Sequence, residues 1–210
     1  MSIWQQIRRG LVAAGTLAAL ALPAAPASAQ LHRTVGHSLS LPCAAGLNSC
    51  DAAPAPRVCA NADVPPTVGH VAAAEEATLC LVNHERAVHG RRRLHANDTL
   101  HGVARAYALD MVAGNFFSHV SPSGSTFDQR IRRAGYLSDT RGWSIGENLA
   151  WGGGILSTPR AIVRAWMHSP EHRRNILDRR FRDAGIGIAV GLPVAGSGAT
   201  YANEFGRRIR

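Results

Sequence analysis

Nine consecutive residues carry the clearest structural signal in this chain: Ser169-Pro170-Glu171-His172-Arg173-Arg174-Asn175-Ile176-Leu177. Serine followed by proline is typical of a helix start. The serine can cap the first turn, and proline has no N–H group to leave unpaired there. The pattern predicts a short helix with His172 in its first turn. The helix dipole disfavours a charged imidazolium at that end, so His172 is expected to be neutral and available as a metal ligand.

Helices are predicted upstream of this motif. Thr158-Pro159 repeats the cap-then-proline pattern and starts a helix that carries Trp166. Apolar residues at helical spacing predict three earlier helices. The first runs from Val71 to Gly90, the second from an Asn97 or Asp98 cap to Gly114, and the third from a Ser125 or Thr126 cap to Gly135. Asn97-Asp98-Thr99 also matches a glycosylation acceptor, but helix capping explains it better.

Strands are predicted mainly in the last part of the chain. Residues 184–191 alternate small and branched side chains, and residues 200–206 alternate aromatic and polar ones. A third strand is predicted over residues 145–151, followed by a flexible glycine connection at residues 152–154. Helices followed by strands predict an α+β domain with layered elements and an antiparallel sheet.

The N-terminus has the pattern of a secretory signal peptide. Arg8 and Arg9 precede an apolar run, and Ala27-Ser28-Ala29 matches a cleavage site. The pattern predicts a signal peptide over residues 1–29, with Gln30 as the first mature residue. The apolar run is short for an uncleaved membrane anchor, and the residues around the Arg pair fit twin-arginine export poorly. The protein is therefore expected to be secreted or periplasmic.

Residues 30–70 are rich in Pro, Ala, Ser and Gly and predict an irregular arm ahead of a single domain over residues 71–210. The chain has four cysteines, Cys43, Cys50, Cys59 and Cys80. An even number in an exported chain predicts two disulfides, and three pairings are open. Three of the cysteines lie in the arm, so two complete bridges require one to reach Cys80 and tie the arm to the domain.

The chain is strongly basic. Its 23 basic residues are all arginine, and loss of Arg8 and Arg9 leaves 21 against 14 acidic residues, a balance of +7. Such a surface favours anionic lipids, acidic glycans or extracellular proteins as partners. Most of the arginine runs are also consistent with solvated helix ends. Aromatic and basic residues do not alternate as a nucleic-acid platform requires, so no nucleic-acid partner is predicted.

Three polar motifs suggest one cleft. His119 lies in Phe116-Phe117-Ser118-His119, with the Phe pair expected to pack inward, and Glu147 lies in Gly146-Glu147-Asn148. With His172, they offer two imidazoles and a carboxylate. These are the groups of a divalent metal site with an open position, with Zn²⁺ as the candidate ion. A hydrogen-bonded network that holds the sheet to the helices explains the same residues equally well.

Gly142-Trp143-Ser144-Ile145-Gly146 matches the Gly-x-Ser-x-Gly pattern of a hydrolase nucleophile. The motif requires a buried strand before the serine and a helix after it. Here a polar segment precedes Ser144 and a glycine-rich segment follows, so the context argues against a nucleophilic serine. The sequence also contains no His-Glu-x-x-His motif, phosphate loop or dinucleotide fingerprint.

Taken in order, the motifs resemble the bacterial branch of the CAP superfamily, which includes cysteine-rich secretory, antigen 5 and pathogenesis-related proteins and is also called the SCP domain. The resemblance covers roughly residues 79–206. The residues that carry it are Cys80-Leu81-Val82-Asn83, Arg86, Leu100, Ala104, Phe117-Ser118-His119, Gly146-Glu147-Asn148, Trp166-Met167, the Ser169–Leu177 motif and Gly185-Ile186-Gly187.

The resemblance implies an α-β-α sandwich with a cleft lined by a His-Glu tetrad. His119, Glu147 and His172 match three of the four tetrad positions. Ser169 stands where a second glutamate is usual, and Glu171 is not a substitute because it falls in a different helix turn. Family members are associated with divalent cations, lipids or sterols, protein partners and, in scattered cases, proteolysis.

These observations favour a binding or interaction module that uses the cleft and the basic surface, with no cofactor required. Two alternatives remain. One is a hydrolase, either metal-dependent, with Glu147 as ligand or general base, or serine-dependent, with Ser144 attacking and His172 as base. The other is a purely structural extracellular scaffold.

Overall fold

A computed structural model of the chain describes residues 59–209. The helices are α1 (Val71–Val88), α2 (Asp98–Ala113), α3 (Phe127–Arg133), α4 (Pro159–His168) and α5 (Pro170–Leu177). The strands are β1 (His95–Ala96), β2 (Gly142–Gly153), β3 (Asp183–Val190) and β4 (Gly198–Ile209). Short 3-10 turns occupy Val68–His70 and Gly154–Ser157. Within residues 59–209, no helix combines the length and apolar character needed to cross a bilayer.

The four strands form one sheet in the order β1-β3-β4-β2. β4 pairs antiparallel with both β3 and β2, which confirms the predicted antiparallel sheet. β1 adds a short parallel pairing with β3. It was not predicted because two residues are too few to show an alternating pattern. β2 lies at the opposite edge of the sheet.

Helices cover both faces of the sheet, so the predicted α-β-α sandwich is confirmed. Ile186 and Ile188 of β3 pack into one core cluster with side chains of α1, α4 and α5. On the other face, Ala189 packs with α2. Gly185 and Gly187 bring β3 against α2, because a Cβ at either position would collide with the α2 backbone.

The predicted helix boundaries are confirmed closely. Asn97 caps α2, and its side chain accepts a hydrogen bond from Leu100 N at 3.0 Å. Thr158 caps α4 and accepts from Ala161 N at 3.3 Å. Gly90 follows α1 with φ +64°, a conformation that glycine adopts without steric cost.

The strands differ from prediction at their ends. β2 and β4 are each 12 residues long and extend beyond the alternating segments. The prediction of a flexible glycine connection was wrong for Gly152 and Gly153, which pair with Ala199 and Gly198 inside the β2–β4 ladder. Glycine has no side chain to contribute to an alternating apolar and polar pattern, so the pattern does not reveal a strand here, but its backbone can still form the ladder hydrogen bonds. At Gly152 it also makes room for the Leu156 backbone, which a Cβ would strike.

A disulfide joins Cys59 to Cys80 of α1, so the predicted bridge to Cys80 is confirmed. Cys59 and Ala62 are buried in the core cluster that contains α1 and α4. Asp63 also forms an ion pair with Arg160 of α4 at 2.6 Å. The segment 59–70, which sequence assigns to the arm, therefore packs on the helical layer. Cys43, Cys50, the signal peptide and the rest of the arm lie outside the described residues.

Candidate functional site

His119 lies on the segment between α2 and α3, which several polar contacts hold in place. The Tyr107 hydroxyl donates to Ser118 O at 2.6 Å. Arg130 of α3 donates to Ser125 O at 2.8 Å, and both of its terminal nitrogens lie 3.3 Å from His119 O. The segment is thus fixed on both sides of His119, although it contains no regular secondary structure.

The prediction that the phenylalanine pair packs inward was wrong for one of the two residues. Phe116 packs edge-on against Tyr107, with ring centroids 6.0 Å apart. Phe117 is 44% exposed. The chain turns at Asn115, where φ is +51°, and successive side chains of an irregular segment need not share a face. Phe117 is therefore an apolar group on the surface next to His119.

Glu147 lies on β2 with a side chain that is only 1% exposed. Its Oε1 accepts from His119 Nδ1 at 2.7 Å, and its Oε2 accepts from Arg130 Nη2 at 2.7 Å. A carboxylate only accepts hydrogen bonds, so Nδ1 of His119 must carry a proton. In the neutral ring, Nε2 then keeps its lone pair. The His119 side chain is 43% exposed, so a ligand can reach it.

Arg130 connects the carboxylate to the α2 layer. Its guanidinium stacks on the Tyr107 ring, with Cζ 3.3 Å from the ring centroid. Burial raises the pKa of Tyr107 to about 12, so its hydroxyl remains a neutral hydrogen-bond donor. Arg130 supplies the positive charge that balances Glu147 in this buried position.

A second glutamate lies directly beside Glu147. Glu204 of β4 is its cross-strand partner in the β2–β4 ladder, and it is completely buried. Burial is the largest cause that raises the pKa of Glu204 well above the ordinary value of a glutamate, and the charge and hydrogen bond of Glu147 add to it. No N–H or hydroxyl group in the described part of the chain donates to either Glu204 oxygen. A neutral Glu204 keeps its proton and can donate a hydrogen bond to Glu147. The pair then carries one negative charge, which one guanidinium balances.

His172 reaches the site from the opposite helical layer. The side chain of Asn148, next to Glu147 on β2, donates to His172 O at 3.0 Å. Asn175, one turn further along α5, donates to Asn148 Oδ1 at 2.9 Å and to Glu147 O at 3.1 Å. These contacts join α5 to the edge strand. The backbone of His172 is therefore held beside Asn148 of β2.

The electrostatics of His172 favour its neutral form. Burial is the larger cause that lowers its pKa, and the nearby His119 is the second. Glu171 acts in the opposite direction. The neutral ring expected from the helix position is therefore also favoured by burial.

The donor set of the site consists of two imidazoles rather than three ligands. Both Glu147 oxygens are engaged, so this carboxylate orients His119 in the way that carboxylates orient metal-bound histidines. Among residues 59–209, no three His, Cys, Asp or Glu side chains are grouped as a metal cluster. His119 and His172 are the side chains of this site that could serve as ligands of a divalent cation.

Two serines considered from the sequence have other positions. Ser144 lies inside β2 and pairs with Arg207 of β4, so the strand–turn–helix elbow of a hydrolase is absent from this motif. Ser169, at the position of the usual second tetrad glutamate, is buried between α4 and α5. The carboxyl group that accompanies Glu147 comes instead from β4.

Sequence reasoning missed Glu204 and Arg130 as site residues. The available signal for Glu204 was its position between Asn203 and Phe205 in a predicted strand. A charged group in a strand faces either solvent or a buried partner. Arg130 resembles the other arginines of α3, and only the packing on Tyr107 distinguishes it.

A comparison with family models identifies the family of the chain. The model of the CAP cysteine-rich secretory protein family matches residues 79–192, which is more than half of the chain. That segment includes His119, Glu147 and His172. The chain therefore belongs to the CAP family of cysteine-rich secretory proteins.

Two curated relatives come from Bacillus subtilis (strain 168). The chain is 37% identical to the uncharacterized protein YkwD over 136 residues, covering 64% of this chain and 48% of the relative. It is 30% identical to the uncharacterized membrane protein YlbC over 114 residues, covering 54% of this chain and 31% of the relative. The chain thus spans about half or less of the length of these relatives.

Two solved structures share the fold. An extracellular SCP-domain protein from Bacillus anthracis str. Ames matches with a TM-score of 0.54 and 27% identity, covering 69% of this chain and 45% of that one. An outer surface protein from Borrelia burgdorferi matches with a TM-score of 0.52 and 23% identity, covering 62% of this chain and 89% of that one.

Proposed function

We propose that this protein is an exported CAP-domain binding module whose cleft takes a divalent cation, with Zn²⁺ as the best candidate, through His119 and His172. The observation that carries the proposal is the bond between His119 Nδ1 and the buried Glu147. It leaves Nε2 of His119 free to bind, and His172 offers a second imidazole, whose pKa is lowered by burial. The cation would in turn present open positions to a small envelope or extracellular ligand.

Export is part of the same proposal. The signal-peptide pattern over residues 1–29 and the Cys59–Cys80 disulfide both support an oxidising compartment outside the cytoplasm. The B. anthracis relative is described as extracellular. N-terminal sequencing of protein recovered outside the cytoplasm should begin at Gln30, whereas a chain that begins at Met1 would reject cleavage at this site.

Calorimetric titration of Zn²⁺ tests the cleft. We expect binding by the wild-type protein and its loss in the double variant His119→Ala/His172→Ala. The matched control is His84→Ala/His95→Ala, which removes two exposed imidazoles from α1 and β1 and should leave binding unchanged. Equal heats for wild type and the cleft variant would show that the two histidines serve a structural network.

A hydrolase remains the second candidate, because a carboxylate-oriented histidine is also the arrangement of a general base. In that role Nε2 of His119 would accept a proton from a water or hydroxyl group in the cleft. A panel of peptide and ester substrates tests this with wild type and His119→Ala. Turnover that disappears in the variant would favour a hydrolase. Turnover that also disappears when a chelator removes metal would show that the reaction depends on a metal ion.

A further inference from the structure

A strongly positive surface, separate from the cleft, includes part of α5. Six exposed arginines define it, and we call it the arginine face: Arg92, Arg93, Arg173, Arg174, Arg179 and Arg180. They come from two separate parts of the chain, the segment after α1 and the segment that includes α5 and the start of the connection to β3. The sequence alone shows them only as short arginine runs.

Specific contacts bring the two segments together. Arg86, fully buried in α1, donates to Arg92 O at 2.7 Å and to Ile176 O at 2.6 Å. Arg91 donates to Leu177 O at 3.0 Å. Arg173 lies 3.1 Å from His89 Nε2. These bonds hold the arginine runs side by side, so the face is a fixed feature of the fold.

The positive charge of this face is poorly compensated. Asp178 pairs with Arg180 at 2.6 Å. Within residues 59–209, Arg92, Arg93, Arg174 and Arg179 have no ion pair or side-chain hydrogen bond. The other acidic groups near these segments are Glu85 of α1, which lies 3.9 Å from His89, and the exposed Glu171.

Folding thus gathers like charges. Burial lowers the pKa of Arg86 to about 10, and the neighbouring charge of Arg182 is the next cause. Concentrated charge of one sign disfavours the compact state and creates a potential that attracts a ligand of opposite sign. A surface with this property is suited to a polyanion.

The chemistry of the face favours a water-soluble polymer over a membrane. Membrane-docking surfaces add apolar side chains that enter the lipid. On the segments 88–93 and 171–182, Val88 is the exposed large apolar residue. Arginine forms paired hydrogen bonds with planar or tetrahedral oxyanions, and a linear polymer can meet several guanidinium groups at once.

We propose that the arginine face binds an acidic polysaccharide through guanidinium contacts with its carboxylate or sulfate groups. This inference rests on the proposed binding function and gives it a second, separate surface. α5 carries both His172 and Arg173, so a polymer held on the face would lie beside the cleft.

Binding of the purified full chain to alginate and heparin tests the proposal. The triple variant Arg92→Gln/Arg93→Gln/Arg179→Gln should bind alginate at least about tenfold more weakly at low salt, with a smaller salt dependence, because fewer counterions are released. The control Arg105→Gln/Arg132→Gln/Arg164→Gln removes the same charge from exposed positions on α2, α3 and α4. It should lose less than about threefold by the same electrostatic reasoning. Thermal unfolding checks that both variants are folded.

Three results would overturn the proposal: no binding of either polymer by the wild type, equal losses in the two triple variants, or binding to phosphatidylglycerol vesicles as tight as to alginate. The variant His119→Ala/His172→Ala should keep its polymer affinity. Loss of Zn²⁺ binding without loss of polymer binding therefore separates the cleft from the arginine face, and a failure of one does not imply a failure of the other.

Discussion

Glu147 and Glu204 face each other across β2 and β4, and both carboxyl groups are buried. Two like charges in that position repel each other, and water cannot screen them. Arg130 and His119 both donate to Glu147, so the negative charge is stabilised there. Glu204 is left as the neutral partner. The site therefore has an ordered division of roles between two chemically identical side chains.

This arrangement predicts a stability that falls as pH rises. The pKa of Glu204 is raised on folding, so its stabilising contribution is complete below the unfolded pKa of about 4.3 and is lost as pH rises through the folded value. Glu204→Gln keeps a neutral hydrogen-bond donor and should flatten this loss. Urea unfolding between pH 4.5 and 9 measures it. The exposed control Glu171→Gln should follow the wild type, and matching pH profiles for Glu204→Gln and wild type would contradict the assignment.

Glu147→Gln should weaken Zn²⁺ binding about 10- to 100-fold, because the amide no longer fixes the Nδ1–H tautomer of His119. Calorimetry gives the affinity, and nitrogen chemical shifts of the ring report the tautomer. The control is Glu76→Gln, which removes an exposed carboxylate from α1. An unchanged affinity with a changed tautomer would show that His119 binds no metal.

Asn175→Ala should destabilise the protein by about 1–3 kcal/mol, since it leaves buried acceptors on Asn148 and Glu147 unpaired. It should also loosen α5 and therefore broaden the ring resonances of His172. Denaturant unfolding and NMR measure the two effects. Full stability with an unperturbed His172 would mean that packing alone positions α5.

Loss of the Cys59–Cys80 bridge should reduce the free energy of unfolding by about 2–5 kcal/mol. Cys80→Ser and Cys59→Ser/Cys80→Ser should be equally destabilised, because either removes the same cross-link. Thermal unfolding with and without reductant gives the measurement. If the reduced wild type were as stable as the oxidised protein, the bridge would be structurally dispensable.

Gly187→Ala should cost about 1–3 kcal/mol, because its Cβ would meet the α2 backbone between Ala104 and Arg105. The control is Gly102→Ala on α2, where a Cβ has open space. That change should stabilise the helix by about 0.5–1 kcal/mol. Equal effects of the two substitutions would show that β3 and α2 can move apart at no cost.

The sequence by itself determined the helices and named three residues of the candidate site. Asn97, Thr158 and Pro159 mark helix starts through local hydrogen bonding and fixed backbone angles, which depend on few neighbours. The strand positions were also evident where side chains alternate. The order of the motifs and their resemblance to the CAP superfamily identified His119, Glu147 and His172 as candidate cleft residues. Their separation in the chain gave no distances between them.

The tertiary structure decided which groups meet. Strand register places Glu204 beside Glu147, and a shift of one residue would have put it on the other face of the sheet. Packing on Tyr107 selects Arg130 from several similar arginines. The buried Arg86 likewise joins two distant arginine runs into one face. Each result depends on contacts between residues far apart in the chain, and local sequence preferences do not encode such contacts.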